Sequence, residues 1–146
     1  MDVNETIEIF RRIYDRAMNH GDTELVYEMY SSAFACSNPD YKIDGYEDIE
    51  ASVRNQRAAF PDIDFRVMFI CGSEDGIAIC WKLRGTHTRE LWGLPPSGRF
   101  LEMNGITVHE LYEGKSVGGY SCSDMKDKMV AAYAQAESEG TVPVAS

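Results

Sequence analysis

The spacing of hydrophobic positions changes near Pro61, and the change divides the chain into a helical half and a strand half. From Asn4 to about His20, Ile9, Phe10, Ile13, Tyr14 and Ala17 recur at helical spacing, opposite Glu8, Arg11, Arg12, Asp15 and Arg16. That pattern predicts an amphipathic helix, with Asn4 as its cap. His20-Gly21-Asp22 reads as a stop followed by a new cap, opening a short second helix over Thr23 to Tyr30. Ala33 to Asn38 predicts a brief strand-like piece closed by Pro39, and Gly45 marks the next turn. A third helix follows over Tyr46 to Phe60, with Ile49, Val53 and Phe60 along one side. Pro61 ends it, because the residue before a proline is pushed out of helical geometry.

Beyond Pro61 the period is two. Ile63, Phe65, Val67 and Phe69 alternate with Asp62, Asp64 and Arg66, as in a half-buried strand. Ser73 to Gly76 predicts a hairpin turn. Ile77, Ile79, Trp81 and Leu83 then alternate with Ala78, Cys80, Lys82 and Arg84 in a second long strand. Thr88 to Gly98 is a loop carrying Trp92, Pro95 and Pro96, and Phe100 to Tyr112 a third strand. Its apolar phase shifts near Asn104-Gly105, from Leu101 and Met103 to Ile106 and Val108, which predicts a bulge. Glu113-Gly114 turns the chain into a fourth strand, Lys115 to Ser123, and Asp124 to Glu137 predicts a C-terminal helix.

Helices segregated from hairpin-connected strands predict the α+β class: a curved antiparallel sheet wrapped over a long helix, with a concave interior. At 146 residues the chain is one domain's length, with an ordered core of about 4–137 and a flexible tail, 138–146. The net charge of -10, with 14 Lys and Arg scattered among 24 Asp and Glu, argues against nucleic acid and anionic membrane as partners. Cys36, Cys71, Cys80 and Cys122 show no C-x-x-C spacing and are expected to be reduced core or near-core residues. With no signal peptide at the N-terminus and no apolar run of spanning length, the expected location is cytoplasmic.

Several spaced motifs carry a resemblance over roughly Gly45 to Asp124. They are Ala59-Phe60-Pro61-Asp62 after a helix, Trp81 to Thr88 with Gly85-Thr86-His87 inside it, and Gly93 to Arg99. Gly105-Ile106, Glu113-Gly114-Lys115, and an aromatic, Tyr120, four residues before Asp124 complete the set. Together they resemble the SnoaL-like polyketide cyclases, of the ketosteroid isomerase and nuclear transport factor 2 superfamily. The resemblance implies a cone-shaped α+β barrel with an internal pocket, commonly a homodimer, with no metal and no organic cofactor. It also implies an acid/base pair in the cone that closes a ring by intramolecular aldol addition. Other members of the superfamily open epoxides, isomerise double bonds or only bind, and fold alone does not choose among these.

By that resemblance Asp124 takes the place of the family's aspartate, and His109 lies on the strand where the family uses a histidine; these are the candidate catalytic pair. Strand alternation puts Tyr120, Cys122 and Asp124 on one face, and a desolvated carboxylate there would have a raised pKa. Asp124 is equally a favoured helix cap. An unperturbed histidine titrates near neutrality and can polarise a carbonyl or relay a proton, but if Ile106 and Val108 point inward, His109 points out. His87 shares the phase of Trp81 and Leu83 and is either a pocket residue or a structural histidine near the strand end. Tyr14, Tyr41, Tyr46 and Trp92 are candidates for the pocket mouth or plain core, and Trp81 for substrate contact. Asn38 could orient a carbonyl oxygen or serve as a turn former before Pro39. Gly118-Gly119, where relatives carry bulkier residues, predicts close approach of a ligand or of another backbone.

No nucleophile elbow, phosphate loop or metal-ligand spacing is present, which leaves general acid/base work. The expected activity is a cofactor-independent cyclase or isomerase acting on a hydrophobic polyketide or related intermediate. An epoxide-opening enzyme and a non-catalytic metabolite carrier are the alternatives. A homodimer through the outer face of the sheet is expected, with the C-terminal helix folded over that face as the competing arrangement.

Overall fold

In a computed structural model of the chain, residues 2–37 and 42–144 are described; Asn38, Pro39 and Tyr41 lie outside them. Helix α1 spans Val3–His20, and its cap is Asp2 rather than Asn4: the Asp2 carboxylate accepts the Asn4 N–H at 2.8 Å. Gly21, in the left-handed region at φ 77°, ends it by donating to the Ala17 carbonyl. The expected second helix divides into a 3₁₀ turn, Thr23–Leu25, and a single turn α2, Val26–Met29. Strand β1 (Ala35–Ser37) pairs antiparallel with β2 (Lys42–Asp44), a strand the apolar pattern did not predict, and α3 runs over Gly45–Ala59.

Four long strands follow: β3 (Asp64–Gly72), β4 (Gly76–Thr86), β5 (Phe100–Tyr112) and β6 (Lys115–Ser123). They form one antiparallel sheet in the order β3-β4-β5-β6, which stays open at its two edges. Phe10, Ile13 and Ala17 of α1 pack in one core with Ile77, Ile79, Trp81 and Leu83 of β4, all buried as the alternation predicts. Helix α4 (Met125–Ser138) inserts Met125 and Met129 into the same core, so it closes the interior of the cone and does not fold over the outer face. Among the described residues no helix is long and apolar enough to cross a membrane.

Two strands depart from the expected phase. On β3 the register slips between Val67 and Phe69, so Ile70 takes the inner side and Phe69 is 59% exposed. On β5 the expected bulge at Asn104-Gly105 is absent, and the register Lys82–Asn104, Trp81–Gly105, Cys80–Ile106 runs unbroken. The inner positions of β5 are Met103, Gly105, Thr107 and His109, while Ile106 is 51% and Val108 39% exposed on the outer side. The apolar pattern shifts because Gly105 makes room for the Trp81 indole: a Cβ there would meet a ring carbon at 2.1 Å. All four thiols are free, but Cys71 and Cys122 are exposed, contrary to the expectation of core or near-core positions, because both point to the outer side of edge strands.

Candidate active site

The concave face of the sheet and the helices beneath it enclose a cavity of about 350 Å³. Tyr14 and Met18 reach it from α1, Ile49, Val53, Ser52 and Gln56 from α3, and Phe65, Trp81, Thr107, His109 and Ser121 from the sheet. No Asp, Glu, Lys or Arg is among its described lining residues. One wall is an aromatic stack, with Tyr14 parallel to Phe65 at 5.7 Å between centroids and Phe65 over Trp81 at 5.5 Å. Such a wall favours a flat, uncharged, unsaturated guest.

His109 lies against this cavity, 2% exposed. The unbroken β5 register answers the question of facing: Ile106 and Val108 point out, and His109 points in. Its Nε2 is 2.7 Å from the Tyr14 hydroxyl and its Nδ1 2.8 Å from the Ser116 hydroxyl. Phe10 and Tyr30 meet the ring edge-on at 5.2 and 5.6 Å between centroids. Burial without a carboxylate partner pushes the imidazole from its ordinary value down to about 4, so the ring is neutral at pH 7. The network assigns its tautomer. Ser116 donates to the Gly118 carbonyl at 3.4 Å, so its oxygen is left to accept from Nδ1–H. Nε2 then carries the lone pair and accepts the Tyr14 proton.

The other expected site residues fall in several places. The structure does not bring Asp124 to His109. Asp124 stands at the N-cap position of α4, the alternative its residue type offered, but its carboxylate accepts the Asn104 N–H at 2.8 Å and makes no cap bond to the helix. Asn104 and His109 are five residues apart on one strand, about 17 Å at ~3.4 Å per residue. Tyr120 pairs with Val108 on the outer side and stands at the rim, 72% exposed, because the inner positions of β6 are Gly119 and Ser121. The paired glycines admit a backbone: a Cβ would sit 3.0 Å from the Ala35 carbonyl at Gly118 and 1.8 Å from the Val108 carbonyl at Gly119. His87 is fully buried against Phe60 (5.1 Å, stacked) and is not among the lining residues; burial lowers its pKa. Trp81 and Trp92 line the cavity, whereas Tyr46 turns its hydroxyl to the Tyr30 carbonyl. Asn38 and Tyr41 lie outside the described residues.

Ser116, Thr107 and Ser121 were not singled out from the sequence. The available signal was register: Thr107 is two residues from His109, on the same face, and a polar side chain on the concave side of a sheet needs a partner. Here the Trp81 indole donates to Thr107 Oγ1 at 3.0 Å, and Thr107 Oγ1 lies 3.1 Å from Ser121 Oγ. Among the described residues no three His, Cys, Asp or Glu side chains gather as metal ligands would.

The family model for the SnoaL-like polyketide cyclases matches residues 8–131. Among solved structures, a provisionally named SnoaL-like polyketide cyclase of Jannaschia sp. CCS1 aligns with a TM-score of 0.79 at 20% identity, over 90% of this chain and 93% of that one. TsrD of Streptomyces laurentii aligns with a TM-score of 0.75 at 19% identity, over 90% and 98%. A SnoaL-like polyketide cyclase of Agrobacterium tumefaciens C58 aligns with a TM-score of 0.72 at 16% identity, over 90% and 98%. At these identities the likeness is one of fold. No curated protein sequence matches the chain.

Proposed function

The chain belongs to the SnoaL-like polyketide cyclase family, and on that premise we propose that it is a cofactor-independent cyclase or isomerase of a flat, uncharged, carbonyl-bearing biosynthetic intermediate. The observation that carries the reading is the Tyr14–His109–Ser116 relay at the wall of a cavity with no Asp, Glu, Lys or Arg among its described lining residues. A proton leaving a carbon next to a carbonyl passes to the Tyr14 oxygen while the Tyr14 proton passes to His109 Nε2. The resulting enolate faces an imidazolium formed in the same step. Their mutual attraction offsets the burial that otherwise keeps the ring neutral. The enolate carbon then attacks a second carbonyl of the same molecule, or is reprotonated at another carbon, and the relay returns its proton. Asp124, engaged with the Asn104 backbone, takes no part in this scheme.

Hydrogen–deuterium exchange tests the chemistry without the natural substrate. The methyl protons beside the carbonyl of 2-acetylnaphthalene should exchange in D₂O faster with the protein than in buffer. Tyr14→Phe and His109→Gln should each slow that exchange by about 10²–10⁴-fold, the usual worth of general acid/base catalysis. Asp124→Asn should leave it within a few-fold. Exchange no faster than buffer would remove the relay from consideration.

The same reading extends to assembly as a homodimer. On the outer face Phe69, Cys80, Ile106 and Cys122 form one register row across all four strands, and Cys71, Ala78, Val108 and Tyr120 form the next. The row beyond them, Arg66, Lys82 and Asn104, is polar. An apolar band of this width, bounded by charge and left uncovered by α4, suits a two-fold contact with a second copy.

A further inference from the structure

The hydroxyl pair beside the relay leaves a hydrogen over. The Trp81 indole only donates, so it occupies one acceptor position on Thr107 and contributes no acceptor of its own. Thr107 and Ser121 carry two hydroxyl hydrogens between them and share one bond. If Thr107 donates to Ser121, the Ser121 hydrogen is unspent; if Ser121 donates to Thr107, the Thr107 hydrogen is. Either way one O–H remains, and both side chains line the cavity. The indole bond polarises that hydroxyl pair toward donation. The position is fixed as well: Thr107 and Ser121 are register partners, one pleat along from His109 and its partner Gly119. Gly105 lets the indole lie close enough to make the bond.

We propose that Trp81, Thr107 and Ser121 form a carbonyl-binding subsite, separate from the Tyr14–His109 relay, that holds the oxygen of an uncharged aromatic ketone. The subsite donates one hydrogen bond and carries no formal charge, so it suits a ketone or ester oxygen and supplies no counter-charge to offset the desolvation of a carboxylate or phosphate. Because the relay stands one pleat away, about 7 Å along the strand at ~3.4 Å per residue, a guest held here presents a neighbouring carbon to Tyr14. Thr107 and Ser121 are thus positioning residues, and the inference rests on the reading of the cavity as a ketone site.

The test is infrared spectroscopy of 2-acetylnaphthalene labelled with ¹³C at its carbonyl, with 2-isopropenylnaphthalene as the isostere lacking the oxygen. In the wild-type protein the bound carbonyl should absorb at lower wavenumber than in hydrocarbon solvent. Ser121→Ala and Thr107→Val each leave one hydroxyl hydrogen on the wall and should keep most of that shift. The double variant removes both, and should lose the shift and bind the ketone about two- to tenfold more weakly, the worth of one neutral hydrogen bond. Affinity for the isopropenyl compound should not change, which reports an intact cavity. A carbonyl that binds unshifted overturns the subsite, as does a shift kept by the double variant and lost in Tyr14→Phe; the cavity reading survives both results. Failure of both compounds to bind overturns the subsite and the cavity reading together.

Discussion

The two faces of the sheet use the same strands for opposite ends. Along β4, Ile77, Ile79, Trp81 and Leu83 point inward to the core and the cavity, while Ala78, Cys80, Lys82 and Arg84 point outward, partly exposed. Along β5 the relation reverses in polarity: the inner side carries Gly105, Thr107 and His109, and the outer side carries Ile106 and Val108. From Gly105 to His109, therefore, hydrophobicity does not mark the interior of the sheet, although Met103 on the same inner side and the inner residues Ile77, Ile79, Trp81 and Leu83 of β4 are apolar and buried. The inner face gives up apolar side chains where it needs hydrogen-bonding groups around a guest. The outer face keeps apolar ones that nothing in a single chain covers.

Adjacent residues on β5 give the sharpest contrast. Gly105→Ala places a methyl 2.1 Å from a Trp81 ring carbon and 2.5 Å from another, so the indole must leave Thr107 or the strand must move. Overpacking of a filled site costs about 1–3 kcal/mol and sometimes more. A loss of about 3 kcal/mol or more is expected in urea unfolding. Ile106→Ala, one residue away on the exposed side, should cost about 1 kcal/mol or less when measured on the dissociated chain. Equal costs would mean that the two faces are packed alike.

The same pair shows how much was legible beforehand. The alternation on β4 predicted its inner face correctly because Ile77, Ile79, Trp81 and Leu83 there are all large and apolar. On β5 the pattern misled, because a glycine and a threonine at inner positions look like a phase change when the partner filling the space is Trp81 on the next strand. On β3 Phe69 and Ile70 are both apolar, so nothing local marks the bulge that puts Ile70 in and Phe69 out. The fold class, which rests on the order of elements, survives such slips. His109 was reachable through the resemblance, but its link to Tyr14 joins α1 to β5 across 95 positions and depends on how the helix packs. Asp124 was misplaced because the face it shares with Tyr120 and Cys122 is the outer one, and its carboxylate turns to the Asn104 amide.

Acid should separate the faces next. His109, surrounded by Tyr14, Ser116, Phe10 and Tyr30, has a folded-state pKa of about 4 against an ordinary 6.5. A lowered histidine pKa means that the unfolded chain binds the proton first. Its contribution to stability is whole above about pH 6.5 and is lost as pH falls from there toward about 4. At ~1.4 kcal/mol per unit, the loss approaches about 2–3 kcal/mol over that window. Urea unfolding at pH 7.0, 5.5 and 4.5 should show this slope in the wild type and a shallower one in His109→Gln. Carboxylates contribute to both chains, so the difference between the chains is the measurement. Parallel slopes would mean that the ring is solvated or charged in the folded protein.

The smallest effect on folding is expected from the change with the largest effect on assembly. Ile106 is 51% exposed at the middle of the outer band, one row from Val108 and Tyr120. In a single chain a lysine at 106 extends its stem over the band and keeps its ammonium in water, so Ile106→Lys should shift monomer stability by about 0.5 kcal/mol or less. In a two-fold contact the same position occurs twice near the axis, and two ammonium groups would be buried without partners, at a cost of several kcal/mol. Sedimentation equilibrium at micromolar concentration should therefore give twice 16.4 kDa for the wild type and 16.4 kDa for the variant, with equal far-ultraviolet circular dichroism. Each chain carries a net charge of -10, so added salt should tighten the wild-type association by screening repulsion between copies. A wild-type mass of 16.4 kDa at every concentration and salt level would leave the outer face without a second copy, and the asymmetry between the faces without its present explanation.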